Sequence, residues 1–500
     1  MSCDKIFHNV VRMLLEFDKF VSLLDPKRLE GELNVDIEDI IYDSRKAKPG
    51  SLFVCIKGFK TDGHMYIKDA IKSGVSAIVT ERWLEDFGSI AQCQVEDSRN
   101  ALAILSKFLF KDPTSKIQLV GITGTNGKTT TSYLVDSIFR NAGRKTGLIG
   151  TVEHKVGDRV FPVERTTPES YDLQKIFKKM VESGVTHAVM EASSHAIDLH
   201  RVDGCSFNVL VFTNLSQDHL DYHKSMRKYF LTKKKIFDDY KKTAKVINID
   251  DSYGKEIASN SANVISYGLS KTAMVRAEEI QLHKKGSKFK ILTSTSDIDL
   301  SINLKGLFNV YNSLAAAGVG LALGFSNEDI KSGIEAVLNI SGRFETVDCG
   351  QDFSVFVDYA HTPDGLEKLI KAAREITEGR VITVFGCGGD RDKKKRSLMG
   401  KIAGELSDYL IITSDNPRSE EPLAIIEEIE RGLGKVPFVK YKRIIDRKEA
   451  IYYALSLAES GDSVLVAGKG HESGQVFKDK VVPFDDRAVV REALLEMDLC

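Results

Sequence analysis

Net charge is nearly absent from the sequence: 70 Lys and Arg stand against 71 Asp and Glu, leaving -1 over 500 residues. No global field draws the chain to nucleic acid or anionic lipid, so any anion site has to be local. Paired cysteines are missing too. The seven present, Cys3, Cys55, Cys93, Cys205, Cys349, Cys387 and Cys500, lie singly without a C-x-x-C pair or a zinc spacing. They read as reduced thiols of a soluble, cytoplasmic protein. Met1 to Val10 mixes Asp4, Lys5 and His8 and holds no signal-peptide apolar block, and no run of 18 apolar residues occurs. Neither an export signal nor a membrane-spanning helix is expected. Internal repeats and low-complexity segments are lacking, which sets solenoids aside. No Ser/His/Asp or Cys/His triad motif is present either, so a covalent side-chain nucleophile is not expected.

What the sequence does have is apolar content, 42% of residues, enough over this length for about three cores. Short β-branched runs alternate with longer amphipathic stretches. Lys116 to Thr123 reads as a strand and Thr129 to Ala142 as a helix stopped by Gly143; Thr146 to Gly150, His187 to Met190, Val209 to Thr213 and Lys245 to Ile249 continue the rhythm. This predicts an α/β fold with a mostly parallel central sheet, over residues 112–341. Upstream, strands at Ser51 to Ile56 and Ser76 to Thr80 flank a helix near Tyr66 to Ser73, a smaller α/β domain over 1–111 that ends at the turn Lys111-Asp112-Pro113-Thr114. Downstream, strand runs at Ser354 to Asp358, Val381 to Gly386, Tyr409 to Ser414 and Ser463 to Ala467, each followed by a Gly- or Asp-rich loop, predict a Rossmann-like α/β domain over 342–500. In open α/β sheets ligands gather at such carboxyl-end loops.

The strongest local signal is Gly121-Ile-Thr-Gly-Thr-Asn-Gly-Lys-Thr-Thr130, between a strand and a helix. Backbone N–H groups of Gly124, Thr125, Asn126 and Gly127 and the helix start at Thr129 and Thr130 can cradle phosphates there. Lys128 reaches the β and γ phosphates as a mobile charge, and the Thr129 hydroxyl is placed for Mg²⁺. The spacing is a variant: Ile122 stands where the usual loop has its first glycine. Glu191 and His219 each follow a strand, and a carboxylate and an imidazole suit a divalent metal that neutralises a transferring phosphoryl group.

That variant loop resembles the Mur ligase superfamily, which also contains folylpolyglutamate synthetases, and the resemblance extends over nearly the whole chain. It implies an ATP-dependent acid–amino-acid ligase of cell-wall synthesis, which adds meso-diaminopimelate to the D-Glu γ-carboxyl of UDP-MurNAc-L-Ala-D-Glu through an acyl phosphate. By resemblance, Lys233-Lys-Lys-Ile-Phe237 matches a pattern whose first lysine is carboxylated by CO₂ and helps position Mg²⁺, which gives Lys233 a place beside Thr129, Glu191 and His219. Three consecutive lysines leave the register open to a neighbour. Asp43-Ser44-Arg-Lys, with Lys57-Gly58 and Asp62-Gly-His64, resembles a uridine-binding segment, with Ser44 at the uracil. Thr166-Thr167-Pro168, Ser193 and Arg201 resemble the loop set that holds the muramoyl dipeptide. Asn309 is implied at the adenine, Arg343 in the hinge segment Ser341-Gly-Arg-Phe-Glu345, and Asp358 and His361 at the ATP ribose.

Three loops are implied for the incoming amino acid: Gly388-Gly-Asp-Arg391-Asp, Asp415-Asn416-Pro417-Arg418 and Gly468-Lys-Gly-His-Glu472. A guanidinium at Arg418 can grip the distal carboxylate of meso-diaminopimelate in a bidentate pair, which lysine cannot supply. Glu472 would then take the distal ammonium and Arg391 the other carboxylate. Ser397 stands where the family commonly has proline, and Ser473-Gly474 replaces a Thr-Tyr type pair. L-Lysine, lanthionine or another diamino acid stays an alternative substrate, and a regulatory ATPase that forms no amide is the rival from another class. The resemblance implies ATP and Mg²⁺ as cofactors and a monomer that binds neither nucleic acid nor membrane.

Overall fold

The computed structural model describes residues 15–58, 61–85, 88, 90–293 and 296–497. The readings made for Met1 to Val10, Cys3 and Cys500 lie outside them. The chain divides into two compact units. The smaller comprises residues up to Gln118 with Thr167–Thr186 and His195–Ser206, and the larger comprises Leu119–Thr166, His187–Ser194 and residues from Phe207 onward.

In the smaller unit five strands run in the spatial order Arg28–Glu30, Ala91–Gln94, Ala77–Thr80, Ser51–Val54, Asp39–Ile41, parallel except for the first pair. Ser51–Val54 and Ala77–Thr80 are buried along their whole length, as a parallel sheet covered on both faces requires. Leu52, Val54 and Val79 pack into one core, and Phe53 and Ile78 into the other. The predicted helix near Tyr66 to Ser73 is a 3₁₀ turn, Gly63–Tyr66, running into Ile67–Lys72. In the predicted turn at Lys111 and Asp112 both residues take left-handed φ, 60° and 43°.

The larger unit is built on two large sheets, with a two-stranded ribbon of Gly474–Val476 and Val481–Pro483 beside them. The first has eleven strands, in the order Arg159–Phe161, His154–Val156, Thr146–Ile149, His187–Glu191, Gln118–Thr123, Val209–Phe212, Ala244–Asn248, Val264–Gly268, Val275–His283, Gly286–Leu292, Asp297–Ile302. Parallel pairing dominates its middle. Its core joins Val120, Ile122, Val211 and Val246 to Leu134 and Val135 of helix Lys128–Asn141 and to Val310 and Leu314 of helix Leu307–Ala322.

Both edges of this sheet are antiparallel, which the α/β rhythm did not reveal. Asp297–Ile302 alternates exposed and buried residues at every step. A strand with one wet face reads as polar and hides among loops in a search for continuous apolar runs.

The second sheet has the order Glu345–Thr346, Ser354–Asp358, Ser463–Ala467, Val381–Phe385, Tyr409–Ile412, Tyr441–Arg443, parallel after the first pair. Phe356, Phe385, Leu410 and Leu465 fill the core on one face, and Val357, Val384, Ile411 and Val466 the core on the other. Because consecutive side chains alternate faces, the apolar runs seen in the sequence feed two cores at once. A fully buried ion pair, Arg447 to Asp486 at 2.7 Å, ties the C-terminal helix Asp486–Glu496 to this sheet, and Arg447 Nη2 also donates to Ala467 O at 3.0 Å. Among the described residues no helix is long and apolar enough to cross a membrane.

Candidate functional site

The loop Gly124 to Gly127 leaves the central strand Gln118–Thr123 and enters the helix starting at Lys128. Gly124 and Gly127 have φ of +146° and +85°. A Cβ on Gly124 would overlap Thr213 Oγ1, and one on Gly127 would come within 2.5 Å of Asn312 Oδ1, so conformation and space both demand glycine. The loop is braced from outside: Asn126 N donates to Asn214 Oδ1 at 3.0 Å, and Thr213 Oγ1 donates to Asn126 O at 2.6 Å. Lys128 Nζ folds back onto Gly124 O and Thr125 O at 3.0 and 2.9 Å. Desolvation, with Arg343 adding to it, lowers its pKa from the usual value. A phosphate would repay that desolvation, since anions are what the amine and the adjoining N–H groups are shaped to meet.

Thr129 and Thr130 are buried in the first turn of that helix. Asn309 is buried too, donating to Lys305 O at 2.8 Å and accepting from Asn312 Nδ2 at 2.9 Å.

Glu191 ends its strand fully buried, with Thr151 N at 2.8 Å from one carboxylate oxygen and Thr151 Oγ1 at 2.9 Å from the other. Thr166 Oγ1 lies 3.2 Å from the same Thr151 hydroxyl. Of the three lysines it is Lys233 that turns inward: it is 1% exposed, while Lys234 pairs with Asp238 at 2.6 Å. Lys233 Nζ donates to Gly124 O at 3.0 Å and Thr123 Oγ1 at 3.2 Å, and lies 5.0 Å over the Tyr229 ring. Burial, then the charge of Lys128, pushes its pKa well below the ordinary lysine value. His219 sits at a left-handed φ of 52°, its Nε2 3.3 Å from Asp218 Oδ2. Burial works to raise the Asp218 carboxyl, but His219, His361 and Lys395 hold it down to about 2.

Among the described residues no three His, Cys, Asp or Glu side chains gather to hold a metal alone. Mg²⁺ suits what is present, because it binds through one or two carboxylates and completes its shell with water and substrate phosphates. Glu191, buried at the strand end, and the Thr129 hydroxyl supply hard oxygen donors of that kind.

The C-terminal sheet reaches the same loop. Arg343 Nη2 donates to Thr129 Oγ1 at 2.9 Å, with its guanidinium 4.6 Å over the Tyr359 ring. Asp364, in the first turn of helix Pro363–Ile376, accepts from Asn126 Nδ2 at 2.6 Å and Ser216 Oγ at 3.1 Å. Asp358 accepts from Phe344 N and Ala360 N at 2.6 and 2.7 Å, and burial raises its pKa. His361 lies 3.9 Å from Asp218, its pKa lowered by burial first and then by Lys395.

The amino-acid candidates sit at the carboxyl edge of that sheet. Arg418 takes a left-handed φ of 52°, its N donates to Val476 O at 3.0 Å, and its Nη1 donates to Gly389 O at 2.8 Å. Asn416 Nδ2 donates to Glu472 Oε2 at 2.7 Å. Asp415 and Pro417 are buried, as is Gly468, whereas Arg391 is exposed, with Nη1 donating to Asp390 O at 2.9 Å.

The Gly388 to Asp392 loop is held by the buried Arg396, which donates to Gly388 O at 3.2 Å and to both oxygens of Glu420 at 2.8 and 2.9 Å. That pair of hydrogen bonds holds the Glu420 carboxyl down to about 2. A folded-state pKa below the unfolded one, about 4.3 for glutamate, contributes stability that is present above about pH 4 and lost as pH falls toward 2. Thermal midpoints measured from pH 5 down to pH 2 should therefore fall more steeply for the wild type than for Glu420→Gln, and parallel curves would refute this linkage.

In the smaller unit, Ser44 opens a 3₁₀ turn capped by the Asp43 carboxylate. Arg201 is buried, donating to Thr167 O at 3.1 Å and pairing with Glu169 at 2.8 Å, and Glu169 also pairs with Arg99 at 3.1 Å. Ser193 follows the strand His187–Glu191 in the larger unit.

Sequence reasoning missed Asp364, Arg396, Tyr229 and Lys469. Asp364 stands at a helix start, where an acid reads first as a cap. Lys469, in a glycine-rich loop, reads as a solvated charge until burial is known.

Three family models match the chain: the Mur ligase family catalytic domain over residues 36–108, the Mur ligase middle domain over 122–320 and the Mur ligase glutamate ligase domain over 342–470. The chain is 50% identical over 471 residues to the UDP-N-acetylmuramoyl-L-alanyl-D-glutamate–2,6-diaminopimelate ligase of Caldanaerobacter subterraneus subsp. tengcongensis, covering 94% of this chain and 97% of that protein. It is 46% identical over 475 residues to the Bacillus licheniformis protein of the same name, covering 93% and 96%. A solved structure of a ligase so named aligns with a TM-score of 0.69 at 29% identity, covering 97% of this chain and 100% of that one. At 19% identity, a MurF ligase from Thermotoga maritima in complex with ADP shares the fold, with a TM-score of 0.61 and coverage of 92% and 97%.

Proposed function

Because the chain belongs to the Mur ligase family, we propose that it joins meso-diaminopimelate to the D-Glu γ-carboxyl of UDP-MurNAc-L-Ala-D-Glu, driven by ATP, in peptidoglycan synthesis. The observation that carries this reading is the convergence of Asn416, Arg418 and Glu472 on one edge of a sheet whose Arg343 and Asp364 reach the phosphate loop. A nucleotide site and an amino-acid site are thereby joined within one compact unit.

The three matched segments, 36–108, 122–320 and 342–470, support a division of roles along the chain: 1–111 for the UDP-sugar, 112–341 for ATP, 342–500 for the amino acid. In the first step a D-Glu carboxylate oxygen bonds to the γ-phosphorus of ATP and the bond to ADP breaks. The amine nitrogen then attacks the acyl carbon, inorganic phosphate leaves, and the nitrogen gives up a proton.

Lys128 swings from the Gly124 and Thr125 carbonyls onto the γ-phosphate and follows its charge through the transfer. Arg343, beside Thr129, adds a second cation, and Asn309 and Asp358 orient the nucleoside. Thr129, Glu191, His219 and a carboxylated Lys233 are the residues that would hold Mg²⁺, which would supply further positive charge to the phosphoryl group. Arg418 takes the distal carboxylate of the amino acid, Glu472 its ammonium and Arg391 the other carboxylate, so the amine is presented to the activated carbonyl. Five free thiols among the described residues suit the cytoplasm.

A panel of amino acids incubated with the enzyme, ATP and UDP-MurNAc-L-Ala-D-Glu, read by product mass, should give the diaminopimelate tripeptide far ahead of the lysine product. Phosphate release indifferent to both co-substrates would instead mark an ATPase.

A further inference from the structure

The loop Gly468 to Glu472 contains a lysine that none of these roles uses. Lys469 has no exposed side-chain surface, and its Nζ donates to Asn416 Oδ1 and Glu472 Oε2, each at 2.9 Å. Asn416 closes the triangle by donating to the same Glu472 oxygen at 2.7 Å, and its Oδ1 also accepts from Val476 N at 2.9 Å. One buried ammonium thus fixes the amide and the carboxylate on two separate loops.

The surrounding charges give this clamp a second consequence. Asp415 Oδ2 is buried without a hydrogen-bond partner, and a Cβ on Gly468, whose φ is +118°, would come within 2.6 Å of it. Arg447 is neutralised by Asp486 at 2.7 Å. With Arg391 assigned to the other carboxylate of the amino acid, the part of the pocket facing its distal end counts two carboxylates, Asp415 and Glu472, against two cations, Lys469 and Arg418. A ligand end that is itself neutral overall, one ammonium with one carboxylate, fits this balance. A bare ammonium does not, because it would leave the guanidinium without an anion.

We propose that Lys469 is a positioning and selectivity residue: it sets the Glu472 carboxylate and Asn416 amide in place and balances the pocket so that a zwitterionic amino-acid end is preferred over a lone ammonium. This rests on the reading of these loops as the amino-acid site. Without Lys469 the pocket carries an unbalanced negative charge, and the penalty against lysine shrinks.

The test is Lys469→Met in the full-length enzyme, with kcat and KM measured for meso-diaminopimelate, L-lysine and ATP. We expect the diaminopimelate KM to rise ~10-fold or more and the diaminopimelate-to-lysine ratio of kcat/KM to fall ~10-fold or more, with the ATP KM within ~2-fold. The double variant Lys469→Met/Glu472→Gln removes the stranded carboxylate, so it should fold even where the single variant does not. Its ratio should lie within ~3-fold of that of Glu472→Gln alone, because the two side chains act as a unit.

An unchanged ratio in Lys469→Met, an ATP KM rising in step with that of diaminopimelate, or full additivity in the double variant would overturn the proposal. A wild-type enzyme that rejects diaminopimelate defeats the reading of the loops before any variant is made. A wild-type diaminopimelate ligase whose variant keeps its selectivity defeats only the role of Lys469.

Discussion

Replacing Lys233 by alanine is expected to lower kcat by about two to three orders of magnitude, the cost of losing one charge-stabilising group at a transferring phosphoryl, and added formate or acetate should restore part of it. The physical case begins with burial. Lys233 Nζ lies against the Gly124 carbonyl and the Thr123 hydroxyl with Lys128 close by. An amine so placed favours its neutral form, and a neutral amine adds to CO₂, forming an N–C bond and releasing a proton, to leave an anionic carbamate. On the proposed reading that anion would answer Lys128 and help to hold Mg²⁺. A small carboxylate diffusing into the space left by the alanine side chain can stand in for it. Full activity of Lys233→Ala, or inactivity with no response to either anion, would remove the assignment.

Arg418→Ala is expected to raise the KM for meso-diaminopimelate about 100-fold, the equivalent of about 3 kcal/mol for a desolvated, charge-assisted pair. The KM for ATP should stay within ~2-fold, because the described residues that Arg418 hydrogen-bonds, Gly389, Asn416 and Val476, lie outside the phosphate loop. The left-handed backbone at Arg418, anchored on Val476 O, aims the side chain across the Gly388 loop, and desolvation, then the charge of Arg391, lowers its pKa from the usual value. A guanidinium partly stripped of water beside another cation is poised for an anion. Equal rises in both KM values would show that the substitution disturbed the sheet edge as a whole.

Much of this was legible in residue order. The phosphate loop and its helix, and the strands Ser354–Asp358 and Ser463–Ala467, stand where periodicity put them, because a loop that must wrap phosphates and a strand buried on both faces each constrain their own residues locally. The antiparallel edges from Val275 to Ile302 were not legible. Their pairing partners are set by which face meets helix Leu307–Ala322, and half-exposed strands carry charge on the other face.

Which of three consecutive lysines turns inward, and that a lysine in a glycine-rich loop loses all contact with solvent, were decided only when distant elements packed. Burial and charge balance are properties of neighbours brought from far along the chain. The alphabet of motifs by itself determined which groups stand in which loops, a lysine after a glycine-rich turn, guanidinium and carboxylate groups far downstream, and their order along the chain. The tertiary structure alone decided which charges are desolvated and against what, and electrostatic selectivity depends on that.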